Sequence, residues 1–276
     1  MFHNNSQTMK KELTVEKEQK VKEYWQNQAK EFKDSELATN PDRHFRALEM
    51  TSIINRLKDN KVVLDVGCGN GYSTLMFAKQ FPNIKIIGVD YSPEMIEYAK
   101  VALKKQPKLK NRVSFEVANV LSLSDNKNLI GKFDYVVSER CVINILSWEK
   151  QKQAILEMKK SLKKNGTMIL CENTQEGLDR LNELRKIFSL FPIQVRWHNR
   201  YLFEKELLPF LVKTFSVKEI YNFASLYYII SRVVYAKLAD IEKKSPDYEH
   251  PINNIAKALP PIGNFSPNHI FVLKNK

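Results

Sequence analysis

Apolar positions recur at helical spacing through the first sixty residues and in short continuous runs after that. Lys17 to Leu37 reads as a polar amphipathic helix whose apolar points are Tyr24, Trp25 and Phe32. Ala38-Thr-Asn-Pro-Asp42 breaks it, and Asp42 is placed to cap a second helix, from Arg43 to Leu57, with a stripe of Phe45, Leu48, Ile53, Ile54 and Leu57. Strands and helices then alternate. Val62 to Asp65, Ile84 to Val89, Val113 to Val117, Phe133 to Val137 and Gly166 to Cys171 are apolar runs of strand length. The stretches between them carry helical signals, among them the cap Ser92 with Pro93 in the first turn. Continuously apolar strands separated by helices predict a parallel sheet covered on both faces.

After Glu172 the rhythm changes. Helices are expected at Leu181–Leu190 and Glu204–Thr214, and strands at Phe215–Ile220 and His269–Leu273. Ala224 to Ile241, aromatic and β-branched, fits helix better than strand, and Ser245 to Asn268, with five prolines, reads as loop. Residues 173–203 and 224–266 are therefore additions around a sheet, placed to cover a site. Residues 1–60 form an N-terminal helical unit, and 61–276 a single domain carrying those additions.

Composition narrows the function. The chain has 276 residues, 43% hydrophobic and 27% charged, as expected for a globular protein. Cys68, Cys141 and Cys171 are too few and too scattered for a disulfide scaffold or a cysteine zinc site. The apolar runs are too short for a membrane helix, and Met1 to Lys20 lacks a signal-peptide core, which makes a reducing cytoplasm the default location. The net charge of +13 raises the question of nucleic acid. Most of the excess lies in residues 100–165, where 15 basic groups face 6 acidic ones, largely as lysines at helix ends. Such lysines oppose the helix dipole and face solvent, and no aromatic-interleaved basic ribbon accompanies them. A small-molecule partner, polar or anionic, is favoured over nucleic acid; an oligomeric state does not follow from the residues.

The most informative segment is Leu64-Asp-Val-Gly-Cys-Gly-Asn-Gly71. Three glycines at alternate positions between strand and helix allow a tight turn and close approach of a ligand to the backbone. The lysine of a phosphate loop is missing, because Tyr72-Ser73 follow Gly71. Asp65 would sit badly beside a pyrophosphate but suits a ligand that brings a positive amine to the turn. Asp90 ends the next strand 19 residues after Gly71, where a carboxylate can accept both hydroxyls of a ribose.

These residues resemble the class I S-adenosylmethionine-dependent methyltransferases of the small-molecule type. The resemblance covers about Lys61–Glu172 and, more weakly, Lys17–Asp59, and it implies a seven-stranded, mostly parallel, Rossmann-like α/β sheet with an N-terminal helical cover and C-terminal lids. It also implies S-adenosyl-L-methionine as cofactor, with Gly67 and Gly69, backed by Asp65, receiving its amino-acid end and Asp90 holding the ribose. Tyr91 would pack on the adenine. Asn119 stands where the family often has an aspartate facing the adenine amino group, and Val120 follows it. Cys68 and Gly71 complete the turn, and Met95 fits either the adenine edge or the core. Asp134 matches a further common acid with a structural role.

For the methyl acceptor the residues leave alternatives open. The end of the fourth strand, Ser138-Glu-Arg-Cys-Val-Ile-Asn144, lacks the Asn/Asp-Pro-Pro-Tyr sequence that family members use on planar amino groups. Glu139, Arg140 and Glu172 stand at strand ends, where a charge needs a partner or a ligand. His44 and Arg46 lie in the second helix, and Trp197-His-Asn-Arg-Tyr201 gathers aromatic, imidazole, amide and guanidinium groups. The expected set is His44, Glu139, Glu172 and His198 for proton handling, with Arg46, Arg140, Trp197, Arg200 and Tyr201 holding a polar or anionic acceptor. Oxygen is the favoured atom, a small amine the alternative, and a nucleic acid the remote third. No metal-ligand spacing appears.

Overall fold

A computed structural model describes residues 2–35 and 38–276, with side chains from residue 16 onward. The chain opens with α1 (Phe2–Phe32), followed by α2 (Arg43–Ile54), β1 (Val62–Val66) and α3 (Tyr72–Gln80). Next come β2 (Lys85–Asp90), α4 (Pro93–Lys104), β3 (Val113–Val117), β4 (Phe133–Glu139) and α5 (Trp148–Ser161). The second half holds β5 (Leu162–Asn173), α6 (Gln175–Ile187), α7 (Glu204–Thr214), β6 (Ser216–Tyr221), α8 (Ser225–Tyr228), α9 (Tyr235–Ile241), α10 (Pro251–Ala258) and β7 (Asn268–Lys274). The expected end of the first helix at Leu37 lies outside the described residues.

The seven strands form one sheet in the order β3-β2-β1-β4-β5-β7-β6. The first five are parallel, and β7 runs antiparallel between β5 and β6. Burial on both faces explains the continuous apolar strands. In β1, Val63 packs on one face with Phe77, Ile86 and Phe115, while Leu64 and Val66 pack on the other with Val136, Met158 and Phe271. Local chemistry sets the helix starts: Asp42, Ser92, Ser147 and Thr174 each accept a backbone N–H of the helix that follows.

Several expectations change. α1 begins at Phe2 rather than Lys17, and α6 spans Gln175–Ile187 rather than Leu181–Leu190. β5 begins at Leu162 rather than Gly166, because the chain stays extended beyond α5 with Asn165 at φ 60° and a register shift opposite Phe133 and Tyr135. The stretch expected as loop contains α10, for which His250 is the cap and Pro251 the first residue. Ala224–Ile241 is helical, with a π-helical turn at Ile229–Val234 between α8 and α9. No helix among the described residues is long and apolar enough to cross a membrane.

Strand order reverses between β1 and β4: β2 and β3 lie to one side, β4 and β5 to the other. At such a switch point the loops leave the carboxyl edge in opposite directions and open a crevice.

Candidate active site

The glycine turn is the floor of that crevice. Gly67, Gly69 and Gly71 take φ of 75°, 53° and 78°, the left-handed region that side chains disfavour. At Gly67 a Cβ would also stand 2.6 Å from Cβ of Cys141, so the loop after β4 can close against the turn only because glycine is there. The N–H groups of Gly67 and Cys68 both donate to the Val89 carbonyl, at 2.8 and 3.0 Å, which ties the turn to β2. The Asn70 amide donates to the carbonyls of Lys33 and Ser35 and fastens the turn to the segment after α1.

Above the turn lies a cleft, part of it open to solvent. Asp65, Gly67, Cys68, Gly69, Asp90, Tyr91, Met95 and Val120, expected around the cofactor, line it together with Arg46, Glu139 and Arg140, which were expected at the acceptor. Its carboxylates are unusual. Asp65 is buried, accepts the Thr74 hydroxyl and is pushed up to about 6 by desolvation. Asp90 is pushed up to about 6 by the same cause, although its two oxygens accept the N–H groups of Gly69 and Ser92 at 3.0 and 2.9 Å. Glu139 accepts the Ser73 hydroxyl at 3.0 Å through one oxygen, while Oε1 is buried without a hydrogen-bond partner. Burial and the neighbouring Glu49 and Asp65 raise its pKa, against the pull of Arg140 and Arg46. Arg140 is held by Glu49 at 3.0 Å and by the Thr39 carbonyl at 3.1 Å, and Arg46 lies over the Tyr72 ring at 4.3 Å.

A second cavity adjoins the first through Trp25, Thr39, Arg140 and Asn144, which line both. Its walls come from both additions, which supply Arg196, His198, Tyr201, Tyr228, Arg232 and Tyr248, and from the start of α2, the loop after β4 and the start of β7. His198 is buried and stacks on Tyr24 at 4.2 Å. Burial first, and Arg196 second, push its pKa down to about 4, so the imidazole is neutral at physiological pH. Its Nδ1 has no hydrogen-bond partner among the described residues.

Several expected site residues lie elsewhere. His44 lines neither cavity, because α2 turns Phe45 and Arg46 inward and leaves His44 half-buried. Glu172 is fully buried beneath the loop after β4, where its carboxylate accepts the Ser138 hydroxyl and the N–H groups of Cys141, Val142 and Ile143 at 2.9–3.2 Å. Arg200 lines neither cavity, since its guanidinium is spent on Gln151 and Glu206 at 2.6 and 2.7 Å. Trp197 is 60% exposed and packs edge-on against Tyr24 outside the cavities. Asn119 turns back to accept the Leu121 N–H at 2.9 Å, capping a short 3-10 turn, while Ala118 and Val120 face the cleft. Gly71 is off the cleft: a Cβ there would meet the Phe115 ring at 2.6 Å, so its glycine serves packing. Trp25, Thr39, Ser73 and Asn144 also line the cleft, and of these only Ser73, in the first turn of α3 after the glycines, has a positional signal in the sequence.

Residues 57–205 match the model of a family described as "Methyltransferase domain". An uncharacterised protein of Rickettsia prowazekii is 34% identical over 125 residues, 45% of this chain and 48% of that protein. A ubiquinone/menaquinone biosynthesis C-methyltransferase of Geotalea uraniireducens is 30% identical over 181 residues, 64% of this chain and 72% of that enzyme. For the first curated relatives it matches, the chain spans about half of their length or less. A chain from the complex of the Haloferax volcanii Trm112 methyltransferase activator with a methyltransferase shares the fold, with TM-score 0.61, 18% identity, and 91% of this chain and 97% of that one covered.

Proposed function

We propose, for a chain that belongs to the class I S-adenosylmethionine-dependent methyltransferases, that the cleft over Gly67–Gly69 holds S-adenosylmethionine and that the adjoining cavity presents a polar small molecule to it for O-methylation. The observation that carries this reading is the carboxylate set of the cleft. Among the described residues, no cation pairs with Asp65 or Asp90, which are held above their usual range, and Glu139 has a buried oxygen without a hydrogen-bond partner. Such groups favour a ligand that arrives with positive charge and hydrogen-bond donors. S-Adenosylmethionine has an ammonium, a ribose diol and a sulfonium, and when bound it supplies an electrophilic methyl group.

In this assignment Asp65 and Glu139 receive the amino-acid end, the bare Gly67 and Gly69 backbone passes close to it, and Asp90 accepts the ribose hydroxyls. Tyr91, Met95 and Val120 enclose the adenine. The resulting division places the donor in one cavity and the acceptor in the next, joined at Trp25, Thr39, Arg140 and Asn144. Fixing two reactants in such an arrangement supplies a large part of the rate of a methyl transfer by proximity alone. Neutral His198 can accept a hydrogen bond from an acceptor hydroxyl, but at a pKa of about 4 it orients the group and is a weak base. With His44 and Glu172 away from both cavities, the proton leaves late, to His198 or water. Arg196, which lines the acceptor cavity without a carboxylate partner among the described residues, disfavours a protonated amine, which ranks oxygen ahead of nitrogen. The Geotalea relative, by its name, methylates carbon, so similarity does not choose the atom.

Screening hydroxyl and amine metabolites for release of the demethylated cofactor tests the reading. Turnover on hydroxyl compounds is expected; turnover confined to amines overturns the oxygen assignment.

A further inference from the structure

The second cavity has a charge pattern that goes beyond a polar acceptor. Three arginines and one acid line it: Arg140, Arg196, Arg232 and Asp42. Arg140 is neutralised by Glu49, and Arg232 by Asp42. Arg196, on the segment between α6 and α7, has no carboxylate partner among the described residues. Its field instead falls on cavity groups, lowering the pKa of His198 and opposing the rise at Tyr201. Arg232 comes from the π-helical turn Ile229–Val234, a distortion that costs stability and recurs at ligand sites. The Arg232 guanidinium lies over the Tyr248 and Tyr228 rings at 4.7 and 5.4 Å, so it is positioned by stacking as well as by Asp42.

We propose that the acceptor carries an oxyanion, a carboxylate or a phosphate, which Arg196 and Arg232 hold between the two additions while its methyl-accepting group lies toward Arg140 and Asn144. This rests on the assignment of the second cavity to the acceptor. A guanidinium presents planar paired donors that match either oxyanion. Anchoring at the arginine end and reaction at the shared end would make the acceptor span the cavity. Binding the anion would also bridge two segments far apart in sequence, one from each addition.

The test uses the full chain loaded with S-adenosylhomocysteine, and four probes: inorganic phosphate, acetate, 4-hydroxybenzoate and the uncharged 4-hydroxybenzyl alcohol. Binding is read from the His198 imidazole resonances. Saturable shifts are expected with an oxyanion and not with the alcohol, and phosphate against the two carboxylates distinguishes the sources. Arg196→Gln should weaken oxyanion binding about tenfold or more, the loss expected for a charge-assisted hydrogen bond, and Arg196→Lys should restore part of it. Equal binding of the alcohol, oxyanion binding unchanged in Arg196→Gln, or no saturable binding by any of the oxyanions each overturns the proposal. Loading with S-adenosylhomocysteine is checked first by calorimetry, so failure of the cofactor assignment is seen separately from failure of the anion site.

Discussion

At the scale of single residues, the cover over a buried carboxylate decides what it can do. Asp90 and Glu172 both end strands, yet one faces the cleft and the other is covered by the loop after β4. Nothing in the sequence reports that three consecutive N–H groups fold down onto Glu172, because that depends on the turn Arg140 makes at φ 50°. Replacing Glu172 with Ala should therefore cost at least about 3 kcal/mol, since several buried donors lose their acceptor. Denaturant unfolding checks this; a catalytic base would instead lose turnover with stability intact. Gly67→Ala should cost about 1–3 kcal/mol from left-handed strain alone, with the clash at Cys141 added. Stability unchanged in that variant would show that the loop after β4 is free to move away.

At the scale of elements, the five parallel strands were legible because burial on both faces writes itself as apolar runs. The second cavity was not. Its walls come from residues 40–45, 193–201, 228–248 and 267–268, which only the folded chain brings together. The helix α10 was hidden by its prolines, although Pro251 starts it. The joint between α1 and the sheet is a further feature of packing. Trp25 Nε1 donates to the Asn144 side chain at 3.1 Å, and Tyr24 and Trp25 pack on His198. These contacts set α1 over the junction of the two cavities. Trp25→Phe removes the hydrogen bond and keeps most of the ring, so cofactor affinity should fall about 2–10-fold. Calorimetry on that variant decides; unchanged affinity would mean that α1 does not gate the cleft.

At the scale of the whole molecule, several buried carboxylates share one sign of perturbation. Asp65 and Asp90 at about 6, Glu172 at about 7 and Glu139 above its usual range all keep protons in the folded state that the unfolded chain has released. Their contribution to stability is complete below the unfolded carboxylate range and is lost as pH rises through these folded values. His198 and His269, both pushed down, work the other way and cost stability as pH falls below their unfolded value. The ligand-free protein should lose stability between about pH 5 and 8, seen as a falling melting temperature. A cationic ligand pulls the cleft carboxylates back down, so its binding should release protons and tighten over the same pH window.

Calorimetric titration with S-adenosylmethionine, its demethylated product and NAD is the most direct measurement of the central claim. Both sulfur nucleosides should bind and NAD should not, and Asp90→Ala should weaken S-adenosylmethionine binding by about 1.5–3 kcal/mol, the range for a charge-assisted hydrogen bond. Tight binding of NAD with no response to either sulfur nucleoside would contradict it.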